Sequence, residues 1–396
     1  MTQVRELYGV PIDRVLAYQW RASKWTAVTI QIDERNRRGD YVLDGGQPFT
    51  KGTDDGQLDE NDEVVVRVQD LGDNFGDAQL KRLNLGAPSR RWKLAVSRPK
   101  QTLGYLLIVE SIVRVAQAGR GAVFFDAATK QLETLRYQYR FRSEQAALLG
   151  DVRVQHEGKW RSVFASSEFQ LIMRLPWWLP NFSLTQDNFT SEIESWQNGP
   201  IRSIVAVGVK FRKFLALFNF HMFSELVFYE SNFQIPTVIE FKFDPSRYLK
   251  PGSGLAYTIR FANDDDWAIQ TNLVDLPTKE PESLTANDKT AADVLPLHAR
   301  GKSRYESFLV RVRVDPDAAR QVPPPYVIRG PIFGDQEHRK AWPWLAEMSG
   351  DLGIFIDFSS VRQGSYDFGL DLFLGSKADE GPPEVYDDMR TEWHLL

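Results

Sequence analysis

Four polar side chains in the middle of the chain have the types needed for sugar chemistry: Arg202, His221, Glu225 and Tyr229. A tyrosine or histidine can abstract a proton beside a carboxylate that an arginine neutralises, and the same groups can hydrogen-bond a sugar or a uronate. They are the candidate catalytic residues. The other interpretation is cross-strand charge pairing, which contributes about 0.2–1 kcal/mol a pair.

The two segments that carry these residues, 201–211 and 221–230, are rich in β-branched and aromatic side chains, which is typical of strands. In the first segment the odd positions form the more continuous apolar face, which predicts a single core face. Burying the apolar faces of both strands requires a register that places Lys210 near His221 and Arg202 near Tyr229. The pattern therefore predicts a hairpin whose polar groups share its second face.

The entry to this hairpin, residues 198–207, reads Asn-Gly-Pro-Ile-Arg-Ser-Ile-Val-Ala-Val. Its run from Gly199 to Arg202 resembles the Gly-Pro-(Val/Leu/Ile)-Arg strand entry of galactose-mutarotase-like β-supersandwich domains, which occur in α-mannosidases and several polysaccharide lyases. The resemblance implies a supersandwich fold and a carbohydrate-related function, and for an enzyme a polysaccharide lyase or a sugar epimerase. The family's catalytic histidine and glutamate match no position here, so no catalytic residue is carried over.

Strand-like segments separated by turns recur along the whole chain, whereas helical patterns are confined to 142–149 and 338–348. So many strands and so few crossover helices predict an all-β protein, a large antiparallel β-sandwich of supersandwich type with few short helices. We expect an N-terminal β region with an acidic loop over residues 1–150 and the main β-sandwich region over 151–396. A single domain is the alternative.

The acidic segment 52–63 resembles the second half of an EF-hand-like or dockerin-like calcium loop, with Gly56 at its turn position. The candidate calcium ligands are the three aspartates at loop positions 5, 9 and 12, namely Asp55, Asp59 and Asp62. Lys51 and Thr53 occupy the positions where the first carboxylates belong. A calcium site would therefore need further oxygens, from Asp33, Asp40 or Asp44. An acidic turn before the strand at residue 63 is the other interpretation.

Two adjacent tryptophans, Trp177 and Trp178, stand on a proline-flanked segment. With Lys210 they are the candidate ligand-binding residues. Exposed tryptophans can stack on sugar rings or dock a protein partner, whereas buried ones would cap the edge of the sandwich. Trp342 and Trp344 form a second such pair.

Composition excludes several kinds of site. The absence of cysteine excludes disulfides, thiolate catalysis and cysteine-based metal centres, and none of the five histidines stands at metal-ligand spacing with another. There is no nucleophile elbow, phosphate loop or dinucleotide fingerprint. The net charge of −5 has its basic residues spread along the chain, so we expect no nucleic-acid partner. No apolar run approaches the ~18–20 residues of a membrane span.

These features favour a carbohydrate-binding or carbohydrate-processing protein of the bacterial periplasm or cell surface, with an oligosaccharide as partner. The first residues contain no apolar signal core, so this periplasmic or extracellular location is an expectation from function alone. The main alternative is a non-enzymatic subunit of a surface assembly that docks protein partners through its aromatic loops. A third is a sandwich that binds lipid in a closed apolar cavity. A polar groove beside exposed tryptophans would favour carbohydrate.

Overall fold

A computed structural model describes most of the chain. The described residues are 7–37, 39–47, 55–83, 90–98, 101–114, 121–156, 158–178, 180–211, 221–262, 267–271, 274–275, 294–301, 307–314, 316–323, 325–329, 352–375 and 390–395. Within them no helix is long and apolar enough to cross a bilayer.

The protein is all-β. Its strands, in chain order, are β1 Val15–Arg21, β2 Lys24–Val28, β3 Gln31–Asp33, β4 Gly45–Gly46, β5 Glu63–Val65, β6 Arg91–Arg98, β7 Gln101–Glu110, β8 Val123–Asp126, β9 Gln131–Thr134, β10 Tyr137–Arg140, β11 Asp151–His156, β12 Lys159–Ser162, β13 Phe164–Met173, β14 Phe182–Thr185, β15 Phe189–Asn198, β16 Ser203–Phe211, β17 His221–Phe228, β18 Asn232–Phe241, β19 Gly254–Phe261, β20 Trp267–Thr271, β21 Val274–Asp275, β22 Val294–Gly301, β23 Ser307–Val314, β24 Tyr326–Arg329, β25 Leu352–Asp357, β26 Gly364–Gly375 and β27 Arg390–Leu395.

Helices in the described residues are single turns, as the sequence predicts for the fold class. They are the α-helices α1 Asp77–Leu80, α2 Pro245–Tyr248 and α3 Pro316–Ala319, and the 3₁₀ turns Ile12–Arg14, Val68–Asp70 and Gln186–Asn188. The predicted helix at 142–149 is wrong: the segment forms turns and bridges to Ser191, and Leu148 and Leu149 are buried. The predicted helix at 338–348 lies outside the described residues, as do Trp342 and Trp344.

Contacts divide the chain into two compact units. Unit 1 consists of Met1–Phe124, Gln197–Ser203 and Glu384–Leu396, and unit 2 of Phe125–Trp196 and Ile204–Pro383. The division at residue 150 expected from the sequence stays a prediction.

Unit 1 is built on an antiparallel sheet in the order β2-β1-β7-β6-β27, with β3 and β5 paired separately. Strand β7 is buried on both faces because alternate residues join different apolar clusters. Leu106 and Ile108 pack with Trp92 on one face, whereas Leu107 packs with Trp20 on the other. This two-sided burial explains why the strand reads as a continuous apolar run.

Unit 2 contains two large sheets that face each other, in addition to a smaller antiparallel sheet in the order β12-β11-β10-β9-β8. One has the order β14-β13-β19-β25-β24-β21, and the other runs β20-β22-β23-β26-β18-β17-β16-β15. A cavity of about 60 Å³ between them is lined by Phe169 and Ile354 of the first sheet and by Ile235 and Phe368 of the second. The predicted sandwich is therefore present in this unit.

Strand directions bring four connections to one end of this sandwich. Antiparallel pairing of β13, β19 and β25 puts the end of β13, the start of β19 and the end of β25 together. The start of β26 pairs with the end of β18, and the end of β23 lies alongside. We call the described residues of the four connections at this end the loop rim: 174–178, 180–181, 242–253, 316–323, 325 and 358–363.

Gly254, where the rim enters β19, makes a close backbone contact that allows no side chain. A Cβ at this position would lie 1.9 Å from the carbonyl oxygen of Ile356. We expect Gly254→Ala to lower the free energy of unfolding by about 1–3 kcal/mol, measured by urea denaturation, because backbone must move to relieve the overlap. Gly76→Ala is the control, since its added Cβ would meet only Gln79 Oε1, at 3.9 Å. Equal stability of both variants would contradict the expectation.

Candidate functional site

Arg202 lies in a buried cluster within unit 1, which we call the Arg202 cluster: Gln31, Asp33, Tyr41, Glu63 and Arg202. The side chains of Arg202 and Asp33 are 5% and 0% exposed, and Arg202 Nη2 lies 2.6 Å from Asp33 Oδ2. Its guanidinium also donates to Glu63 and to the hydroxyl of Tyr41. Tyr41 in turn donates to Glu63 Oε2 over 2.9 Å. The guanidinium is thus surrounded by acceptors from its own protein.

Gln31 fixes the turn that precedes β16. Its Oε1 accepts the backbone N–H groups of Ile201 and Arg202, each over 2.9 Å, and its Nε2 donates to Asp33 and to the Arg202 carbonyl. Gly199 leaves the space for this amide, because a Cβ there would lie 2.1 Å from Gln31 Cδ. The Gly-Pro-Ile-Arg run is therefore a turn held from outside by one buried glutamine.

The pKa values of the two carboxyl groups in the Arg202 cluster shift in opposite directions, although burial acts to raise both. Loss of hydration raises the pKa of Asp33, and Arg202 opposes that shift. Burial also acts on Glu63, but Arg202 and Arg35 outweigh it and lower the pKa of that carboxyl. Arg35 Nη2 lies 2.7 Å from Glu63 Oε1. Two arginines thus balance two carboxylates, the arrangement that a buried charge requires.

Of the other three predicted catalytic residues, His221 and Glu225 lie in β17, and Tyr229 comes directly after it. Strand β17 neighbours β16, as the sequence predicts. His221 pairs with Glu240 at the rim end, whereas Tyr229 lies at the opposite end, where its N–H donates to Asn232. At ~3.3 Å per residue, His221 and Tyr229 are about 26 Å apart along the strand. This separation applies to two of the four predicted residues, and the catalytic roles of all four stay a prediction.

The predicted single core face of the hairpin is wrong. Ile204 and Ala206, on the even face, are buried as completely as Val205 and Val207 on the odd face. Period-two reasoning assigned the even face to polar groups because of Arg202 and Lys210. Arg202 precedes β16, and Lys210 stands at the exposed end of the strand, 3.9 Å from Glu192. Its predicted role in ligand binding stays a prediction.

The carboxylates of the acidic loop accept hydrogen bonds from nearby backbone N–H groups. Asp55 accepts the N–H of Gln57, and Asp62 accepts those of Arg35 and Asp59. Gly56 has a φ of +69°, which fits the predicted turn position. Asp33, which the sequence offered as a source of further calcium ligands, forms an ion pair with Arg202. The described residues contain no group of three acidic or histidine side chains placed to hold a metal; residues 48–54 lie outside them, so calcium binding stays a prediction.

Trp177 and Trp178 are exposed on the first connection of the loop rim, with 89% and 65% of their surfaces open to solvent. The sequence left capping of the sandwich edge open, and this exposure excludes it. Leu175 in the same loop is buried, and its N–H donates to Asn181 Oδ1 over 3.1 Å, which closes the loop. The tryptophans therefore stand on an anchored base.

Hydrogen bonds join the four connections into one surface. Lys250 N donates to the Arg174 carbonyl, and Arg174 N donates to Ser253 Oγ, each over 2.8 Å. Ser246 N donates to Val361 O over 3.0 Å, and Arg362 N donates to Gln321 Oε1 over 3.1 Å. The tryptophan loop is thus linked through 242–253 to 358–363 and on to α3.

The rim also carries an aromatic ring and a polar cleft. Tyr248, 56% exposed, packs edge-on against Phe243 with ring centroids 6.4 Å apart. Of the four exposed aromatic side chains where burial is described, three lie in the rim, and the fourth is Trp160. The cleft has a volume of about 590 Å³ and is lined from α3 and 360–366 by polar side chains. Sequence reasoning missed this cleft because its residues form no motif and meet only through strand order.

Comparison with known proteins gives distant similarities. No family model matches the sequence, and no curated protein matches it. An α-mannosidase from Enterococcus faecalis V583 is 11% identical with a TM-score of 0.41, over 99% of this chain and 47% of that one. A glycosyl hydrolase family 38 protein from Enterococcus faecalis is 11% identical with a TM-score of 0.39, over 98% and 49%. The chain spans about half the length of both.

A galactose mutarotase related enzyme from Lactobacillus acidophilus is 10% identical with a TM-score of 0.34, over 63% of this chain and 98% of that one. All three proteins are named for carbohydrate-processing activities. Similarities at this level assign neither a family nor an activity to the chain.

Proposed function

We propose that the protein binds carbohydrate through the loop rim of unit 2. The observation that carries this proposal is the exposure of two adjacent tryptophans, Trp177 and Trp178, on a loop closed by a hydrogen bond from Leu175 N to Asn181 Oδ1. Burying a tryptophan removes ~150–250 Å² from water, so leaving two in solvent forgoes a large stabilisation. Such a patch is typical of a surface that is covered by a ligand.

The surroundings of the tryptophans favour a sugar over a flat protein partner. Sugar rings present an apolar face of C–H groups and a rim of hydroxyls. The loop rim offers both complements, with indole rings for the first and a polar cleft for the second. A docking surface for a protein would be expected to be flat and apolar at its centre, with polar groups outside.

The proposal includes an extracellular or periplasmic setting, where polysaccharide ligands are found, and leaves the chain's catalytic status to experiment. A screen of the purified protein on an array of neutral and acidic glycans, followed by calorimetric titration of those that bind, tests it. We expect saturable binding to at least one oligosaccharide. A protein that binds no glycan but captures a protein partner through the tryptophan loop would support the assembly alternative instead.

A further inference from the structure

The polar cleft of the loop rim has an excess of positive charge. Among the described residues that line it, the charged side chains are Arg320, Arg362 and Asp317, two cations against one anion. Arg320 is already paired with Asp317 on α3. The guanidinium of Arg362 has no side-chain partner within the described residues. Of the described arginines in the cleft, Arg362 is therefore the one placed to meet an anionic ligand.

Arg362 is held in place through its backbone. Its N–H donates to Gln321 Oε1 over 3.1 Å, and its carbonyl accepts the hydroxyl of Tyr366 over the same distance. Gln321 is itself tied to α3 through the carbonyl of Asp317, and the Tyr366 ring packs 6.2 Å from Phe241. The two segments that line the cleft, α3 with the residues after it and 360–366, are therefore held by hydrogen bonds. The side chain of Arg362 itself is exposed to solvent.

Uncharged hydrogen-bonding groups surround this arginine. Ser360, Gln363 and Ser365 line the same cleft and are exposed. Hydroxyls and an amide are the groups that recognise sugar hydroxyls, whereas a guanidinium presents two parallel N–H donors that match a carboxylate. A volume of about 590 Å³ lies within the ~300–1,000 Å³ typical of small-ligand sites.

We infer that the cleft binds the carboxylate of an acidic saccharide, with Arg362 as the residue that selects uronates over neutral sugars. This inference rests on the proposed carbohydrate binding at the rim and names its ligand class. The tryptophans would contact sugar faces whether or not the sugar is charged, and Arg362 would contribute only where a carboxylate is present. The two contributions can therefore be separated.

The test is a calorimetric titration with hexasaccharides of galacturonic acid and of glucuronic acid, each compared with its fully methyl-esterified form. We expect the wild type to bind one acid at least about tenfold more tightly than its ester, the size of one charge-assisted contact near solvent. Arg362→Gln should lose that tenfold preference and bind the ester within about twofold of wild type. Arg153→Gln removes a positive charge from β11, away from the cleft, and should change neither affinity.

Three other results of this titration would each overturn part of the inference. Equal affinity of the wild type for acid and ester overturns the uronate inference and leaves the proposed function standing. A preference for acid that survives in Arg362→Gln overturns the role of the cleft. Failure to bind either form overturns the inference, and the glycan array then shows whether the proposed function fails with it.

Discussion

Replacing Arg202 by methionine is expected to lower the free energy of unfolding by about 3–5 kcal/mol, because it leaves the carboxylate of Asp33 buried without its cation. Asp33 is fully buried, and the guanidinium supplies two of its contacts, from Nε at 2.7 Å and from Nη2 at 2.6 Å. Methionine retains much of the apolar volume, so the loss reports charge rather than a cavity. Urea denaturation of the variant and the wild type measures it.

The pH dependence of that loss follows from the pKa of Asp33. Burial already raises this pKa in the folded protein, and removal of Arg202 takes away the interaction that opposes the shift. The folded variant therefore takes up a proton at a higher pH than the unfolded chain, whose aspartates titrate near ~3.9. Its stability should rise as the pH falls through the folded pKa. The gap to wild type should be larger at neutral pH than at mildly acidic pH.

Two further variants make this result specific. Arg114→Met removes an exposed arginine of unit 1 that lies 3.0 Å from Asp13, and we expect a change within about 0.5 kcal/mol. Arg202→Met combined with Asp33→Asn should recover part of the loss, since an amide carries no charge to bury. If Arg202→Met lowers the free energy of unfolding by less than about 1 kcal/mol, the prediction that Arg202 stabilises the buried Asp33 carboxylate is contradicted.

Replacing both Trp177 and Trp178 by alanine is expected to weaken oligosaccharide binding at least about 30-fold, the effect of losing about 2 kcal/mol of contact. Both side chains are exposed and contact little of their own protein, so the free energy of unfolding should stay within about 0.5 kcal/mol of wild type. Calorimetric titration gives the affinity and urea denaturation the stability. This combination would separate a binding role from a structural one.

Trp160→Ala is the matched control for this variant. Trp160 lies on β12 in the same unit and is the fourth exposed aromatic side chain where burial is described, at 37%. It stands outside the loop rim, so its removal should leave affinity unchanged within about twofold. Equal losses in the control and in the double variant would mean that exposed tryptophan in general, and not the rim, accounts for the binding.

The fold class follows from local pattern, but the burial of individual faces does not. Alternating and β-branched segments predict strands wherever they occur, and the sheets confirm an all-β protein. A strand with sheet or loop on both faces, such as β16, buries Ile204 as well as Val205. Nothing in a period-two pattern shows what covers the second face, which is why a single core face was expected there.

Local sequence pattern predicts the candidate sites less well than the fold class, because it does not show which distant residues come together. Parity assigns His221 and Tyr229 to one face of a strand, but it does not express how far apart they lie along that strand. The partners of Arg202 lie far away in sequence, at Asp33 and Glu63, and no local signal predicts them. The exposure of Trp177 was an open alternative because the sequence does not say whether a proline-flanked loop folds back.

The most direct test of carbohydrate binding at the loop rim is hydrogen–deuterium exchange of the protein, with and without a saturating amount of the oligosaccharide that binds most tightly. A ligand seated on the rim should slow exchange in the connections at 174–178, 242–253 and 358–363, where backbone amides would be covered or their fluctuations reduced. We expect the hairpin turn at 229–232, at the opposite end of β17, to exchange unchanged. Slowed exchange confined to unit 1 or to that hairpin, with the rim unaffected, would contradict the proposal.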